Sequence, residues 1–174
     1  TLKQLGQYLQ EIPFEMIYSS DLPRAVTSAQ IIQSQLKDRC PLQETSLLRE
    51  WQLGKLEGAK FATLKAIYPE QMNALRSNLA KFDSTMFGAE SVYQTTQRTI
   101  NFVKSLQDQD FDHVLIVGHG ANLTASIQTL LGYDVPLLRK DGGLANASVT
   151  VLETSDFENF NLIVWNDTSY QDNN

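Results

Sequence analysis

Leu2, Leu5, Leu9 and Ile12 recur at spacings of three and four, one face of an amphipathic helix that must end before Pro13. The period then shortens. Phe14 to Ser20 is a brief run rich in apolar and aromatic residues, closed by Asp21, Leu22 and Pro23, the pattern of a strand running into a capped helix. That helix turns Ala25, Ala29, Ile32 and Leu36 inward. From Phe61 to Lys81 the helical period returns (Phe61, Leu64, Tyr68, Met72, Leu75, Leu79), and Pro69 should break it into two pieces. Phe82 to Ala89 has no period and reads as a loop. Ser91 is placed to cap a helix whose inner face is Val92, Thr96, Ile100, Val103 and Leu106. Beyond a polar turn from Gln107 to Asp112, His113 to Val117 reads as a fully buried strand closed by Gly118. A helix from about Ala121 to Leu131 follows, with Leu123, Ile127, Leu130 and Leu131 inward. Ser148 to Leu152 and Asn161 to Val164 are rich in strand formers and should lie side by side.

Strands alternating with long helices predict an α/β fold of three layers, a mainly parallel sheet covered by helices on both faces. With no linker or repeat, residues 1–174 read as one domain, in which residues 61–91 form a small helical cap. In such sheets ligands bind outside the carboxyl ends of the strands, where loops lead into helix N-termini.

Composition narrows the partners. Fourteen Lys and Arg against 20 Asp and Glu give a net charge of −6, and no basic run offers a footprint for nucleic acid. The longest aliphatic run, Val114 to Val117, is far short of the roughly 20 apolar residues that span a bilayer. Cys40 is the sole cysteine, and with two histidines it does not make a zinc cluster. The expectation is a cytoplasmic protein with no metal and no cofactor, acting on a small molecule. A second copy of the chain is the protein partner left open.

Three segments reach the ligand-binding rim with polar groups. In YSSDLPRAVTSA, Arg24 lies on the first turn of a helix leaving a strand, where a guanidinium can grip an oxyanion with two parallel bonds, although an arginine there also suits a solvated face. In VLIVGHGANL, an apolar strand delivers His119 between two glycines that let a ligand approach the backbone closely; a structural histidine bonded to a carbonyl is the alternative. His113, beside Asp112, reads as a strand-edge residue. LREWQLGKLEG carries Glu50 and Glu57 around Gly54, a spacing that fixes no chemistry by itself.

In this order the three segments resemble the histidine phosphatase superfamily, also called phosphoglycerate mutase-like, and in particular its short bacterial phosphatases. FGAES (residues 87–91) resembles the family's GES helix start, and NASVTVLE with Trp165, Asn166 and Asp167 resembles its ending. The likeness implies phosphoryl transfer through a phosphohistidine: one histidine attacks phosphorus, a second histidine and arginines hold the phosphate oxygens, and a glutamate protonates the leaving oxygen. On this likeness Arg24 is a phosphate-binding arginine, Glu50 the proton donor, His119 the second histidine and Glu57 a structural residue. The backbone N–H groups from Gly120 onward are further candidate donors, and no metal is implied. Beside a phosphate dianion, like charge should raise the Glu50 pKa toward a range where it can donate a proton.

One piece of the family pattern does not match. The nucleophile belongs to an Arg-His-Gly tripeptide ending a first strand, and neither His113 nor His119 follows an arginine. Leu2, Leu5 and Gly6 fit the helix after that strand, so the expectation is a fold without its first strand and a chain inactive as it stands. The implied activity of the parent protein is hydrolysis of small phosphate esters; a phosphoglycerate-type mutase and a catalytically dead phosphate-binding or interaction module are the alternatives.

Overall fold

The structure is a computed structural model and describes residues 1–172. Its helices are α1 (Leu2–Leu9), α2 (Pro23–Gln35), α3 (Phe61–Ile67), α4 (Pro69–Ser77), α5 (Val92–Ser105) and α6 (Gly120–Leu130). Its strands are β1 (Met16–Ser20), β2 (Leu42–Thr45), β3 (Val114–Val117), β4 (Val149–Glu153) and β5 (Asn161–Asp167).

β1, β2 and β3 form a parallel sheet in the order β2-β1-β3, while β4 and β5 pair antiparallel in a separate ribbon. Alternate residues of the parallel sheet face opposite layers. Ile17, Leu115 and Val117 pack with Ala29 of α2, and Leu115 and Val117 also meet a cluster of Leu5, Leu9, Ile32 and Tyr170. On the other face Met16, Tyr18, Val114 and Ile116 pack against Phe102 and Leu106, at the end of α5 and just beyond it. That is the three-layer α/β arrangement.

Pro69 divides the helical stretch from Phe61 as expected: α3 ends at Ile67 and α4 begins at the proline, which needs no N–H at a helix start. Ser91 caps α5 through a reciprocal box with Gln94. The 82–89 loop contains one short turn, Ser84–Phe87, and its Phe87 is buried with Leu56 and Met72.

Four expectations change. β2 gave no signal in the sequence, because LQET lies at the sheet margin and carries two exposed polar residues. α2 has no side-chain cap; Leu22 occupies that position, and Asp21 turns instead to Arg49. β3 is half-buried rather than fully buried, since among the described residues no strand pairs with its outer edge. In α6 the buried face is Asn122, Thr124, Ala125, Ser126 and Gln128, not the leucine stripe, which is only half-buried. Hydrogen bonds explain the reversal: Asn122 donates to the Thr95 carbonyl and hydroxyl and accepts from Thr99, so polar groups join α6 to α5.

Candidate active site

The register of the parallel sheet aligns its carboxyl ends. Ser20 of β1 pairs with Thr45 of β2, and Ser19 with Val117 of β3, so the chain leaves all three strands at one rim. From that rim come Asp21 and Arg24, the segment bearing Glu50, and Gly118 with His119.

His119 is 7% exposed and occupies the N-cap of α6, its Nε2 2.8 Å from the Ser20 hydroxyl. Burial holds its pKa below the ordinary histidine range; the Glu50 carboxylate opposes this, and the charges of Arg24 and Arg98 add to it. These charge interactions put Arg24, Glu50 and His119 in one neighbourhood, though Arg24 itself is on the exposed first turn of α2. A buried imidazole within reach of the charge of an exposed guanidinium can together with it receive an anion.

Glu50 is fixed by backbone amides. Its Oε1 accepts from Trp51 N–H at 2.8 Å and Asn122 N–H at 2.7 Å, and its Oε2 from Ala121 N–H at 3.1 Å. The carboxylate therefore sits on the positive end of α6. This corrects one expectation, since the amides of Ala121 and Asn122 are not free for a phosphate. The Gly120 N–H, by contrast, has no acceptor among the described residues. Gly120 also has close backbone overhead: a Cβ there would lie 3.4 Å from the Leu144 carbonyl.

Further residues hold this group together. Arg49 donates from Nε and Nη2 to the two carboxylate oxygens of Asp21 at 2.7 and 2.8 Å, joining the start of α2 to the segment before Glu50. Arg98 of α5 donates to the carbonyls of Leu47, Arg49 and Glu50 and forms two bonds with Glu90. Burial pushes the Glu90 carboxyl up, but its bonds from Arg98 and the Gln52 N–H, with the Arg98 charge, outweigh this and hold it below the usual range. Ser20, Arg49 and Arg98 were not singled out by the sequence reading. Ser20 and Arg49 stand inside the quoted motifs, beside residues that were; Arg98 had no signal, since a charge inside a helix usually marks a solvated face.

Glu57 lies apart from this group, its carboxylate accepting the Leu53 N–H and closing its own turn. A surface hollow of about 440 Å³ is lined by Gln52, Gly54, Glu57, Gly88, Ala89, Glu90 and Gln94, and by none of Arg24, Glu50 or His119. Its carboxylates are already engaged by backbone and Arg98, so the hollow has little left to offer a ligand. The group around His119 lies instead at the sheet rim, where β3 ends.

The sequence profile described as histidine phosphatase superfamily (branch 1) matches residues 1–168. The chain belongs to the histidine phosphatase superfamily. A phosphoglycerate mutase-like protein 4 of Arabidopsis thaliana is 30% identical over 155 residues, covering 88% of this chain and 65% of that protein. A 2,3-bisphosphoglycerate-dependent phosphoglycerate mutase of Cytophaga hutchinsonii is 30% identical over 129 residues, 72% of this chain and 59% of that protein. The chain thus spans a little under two thirds of the length of these relatives. A mycobacterial glucosyl-3-phosphoglycerate phosphatase solved with VO3 superposes with a TM-score of 0.85 at 27% identity, over 96% of this chain and 83% of that one. Members of the superfamily with these names are phosphatases and mutases, and this chain shares their fold. Among the described residues no helix is long and apolar enough to cross a membrane.

Proposed function

We propose that this member of the histidine phosphatase superfamily forms the phosphate-holding part of a site that hydrolyses small phosphate esters. The observation that carries the reading is the convergence of Arg24, Glu50 and His119 around the first turn of α6. In this reading Arg24 and the Gly120 N–H bind phosphoryl oxygens, and the incoming dianion favours protonation of His119, which then donates a charge-assisted bond. Glu50 supplies the leaving oxygen with a proton. Three of its acceptor positions are taken by amides, two on Oε1 and one on Oε2, which leaves one position on Oε2 to face the leaving group.

The family's reaction also needs a histidine that attacks phosphorus. His113 lies before β3, at the opposite end of the strand from Gly118, and His119 already has a binding role. The open edge of β3 is adjacent to the site, and a strand paired there in parallel would deliver its last residues to the same rim. The chain on its own is therefore expected to bind phosphate without turnover. A phosphomutase is the second reading, favoured by the Cytophaga relative's name, and it uses the same residues with a hydroxyl acceptor in place of water.

The test is a titration with orthophosphate and vanadate, together with p-nitrophenyl phosphate hydrolysis. Arg24→Gln and His119→Asn should each weaken binding by about tenfold or more, the worth of a charged hydrogen bond. Unchanged affinity in both variants sinks the shared site, and measurable hydrolysis by the chain alone overturns the division of roles.

A further inference from the structure

The contact between His119 and Ser20 decides more than where the ring sits. Ser20 ends β1 and exposes nothing to solvent; its Oγ accepts the Leu22 N–H at 3.3 Å and lies 2.8 Å from His119 Nε2. A ring nitrogen and a hydroxyl can share such a contact in two ways: the hydroxyl donates to a bare Nε2, or Nε2–H donates to the oxygen. The two ways place the single proton of a neutral ring on different nitrogens. Burial holds His119 toward its neutral form, opposed by Glu50 and helped by the charges of Arg24 and Arg98, so the choice bears on the resting protein.

The surroundings of Ser20 select the first way. Among the described residues Nε2 is the one acceptor within reach of the Ser20 hydroxyl hydrogen, because the other bond of Oγ, from Leu22, is one that it accepts. With the ring proton on Nε2, that hydrogen would be buried without an acceptor, a loss that disfavours the form by about tenfold or more. The other side of the ring agrees. Nδ1 needs a lone pair only where some group donates to it, and among the described residues none does: His119 occupies the N-cap of α6 without a side-chain capping bond, and the Ala121 and Asn122 amides donate to Glu50 instead. Nor is Nδ1 sealed away, since Gln128 Oε1 is the one buried side-chain polar atom left without a partner among the described residues. Nδ1 is therefore unbonded and open to an incoming group.

We infer that Ser20 is a positioning residue that donates its hydroxyl hydrogen to His119 Nε2, fixes the ring as the Nδ1–H tautomer and so presents Nδ1–H as the donor to phosphoryl oxygens. The inference rests on the reading of His119 as a phosphate-binding residue. It gives the site a ring donor before any proton is taken up. When a bound dianion draws a second proton to the ring, that proton enters at Nε2 and the Ser20 hydroxyl rotates to accept it, so Nδ1 keeps its bond and the imidazole its place.

Nitrogen-15 NMR of the imidazole in the full chain tests it, at a pH where His119 is neutral. His113 is the only other histidine, and the His113→Gln variant assigns the signals. The expected ring has a protonated Nδ1 and a bare Nε2, the Nδ1–H form being in excess by about tenfold or more. Ser20→Ala should let the Nε2–H form, which histidine favours when free in water, become at least as populated, and Ser20→Thr, which keeps the hydroxyl on a strand residue, should restore the parent ratio. Excess orthophosphate should shift the Nδ1 proton signal and slow its exchange with water. A parent ring protonated mainly on Nε2, a tautomer ratio unchanged in Ser20→Ala, or a response to orthophosphate at Nε2 with Nδ1 unmoved overturns the inference. A ring that has the expected tautomer and loses it in Ser20→Ala, yet ignores excess orthophosphate, upholds Ser20 as the residue that sets the ring; what then fails is the reading of His119 as a phosphate ligand.

Discussion

Replacing Arg98 by methionine removes the side chain that ties α5 to the segment carrying Glu50. In the folded protein Arg98 and Glu90 are 19% and 17% exposed, and the guanidinium satisfies three backbone carbonyls besides the Glu90 carboxylate. Methionine keeps most of the packing volume and none of the bonds. The loss leaves a largely buried carboxylate unpaired, which costs on the order of 3–5 kcal/mol. For a chain of 174 residues this corresponds to a fall in Tm of roughly 6–20 °C. Thermal and urea unfolding would read it. The double variant with Glu90→Gln should recover part of the loss, with a coupling energy on the order of 1–3 kcal/mol, because no charge is then stranded. The pH dependence has a defined sign. Without Arg98, burial dominates and the folded Glu90 pKa rises above its unfolded value, so the deficit is full at pH 7 and shrinks as acid protonates the group. A Tm within about 2 °C of the parent, or a double variant as unstable as the sum of its parts, would refute the clamp.

Gly54 has φ of +56°, and a Cβ there would stand 2.2 Å from the Phe87 carbonyl oxygen; Gly54→Ala should cost about 2 kcal/mol or more, read by urea unfolding, whereas Gly58→Ala, with nothing within 4 Å, should cost less. His119, whose folded pKa is depressed, contributes stability that is present above its unfolded pKa near 6.5 and is lost as pH falls through the folded value; His119→Asn should flatten that acid limb of the stability profile. Ser20→Ala removes the hydroxyl facing His119 Nε2; an NMR titration of the ring should show a shifted pKa and a change in phosphate affinity with Tm moved by only a few degrees, and an unmoved ring pKa would leave Ser20 a packing residue.

Local pattern was enough wherever neighbours in sequence are also neighbours in space. The split at Pro69, the Ser91 box with Gln94 and the strand Val114–Val117 all follow from a few consecutive residues. The motif residues Arg24, Glu50 and His119 were visible as well, but only the resemblance joined them. What the sequence could not show were the facts that depend on who lies across the gap. The burial of Asn122 over the α6 leucines depends on Thr95 and Thr99 of a helix 23 to 27 residues away. The diversion of Asp21 from helix cap to Arg49 depends on a partner 28 residues on. Glu50's hold on the α6 amides and the bond from Arg139 Nε to the Arg76 carbonyl likewise belong to the assembled chain.

Hydrophobic period and turn residues by themselves determined the helices, every strand but β2, and the α/β class, because those follow from local geometry and the need to bury one face. Tertiary structure alone decided which polar groups are satisfied and which are left seeking a partner. A hydrogen bond or a stranded charge is a property of two places in the fold, and residue spacing along the chain does not encode their distance.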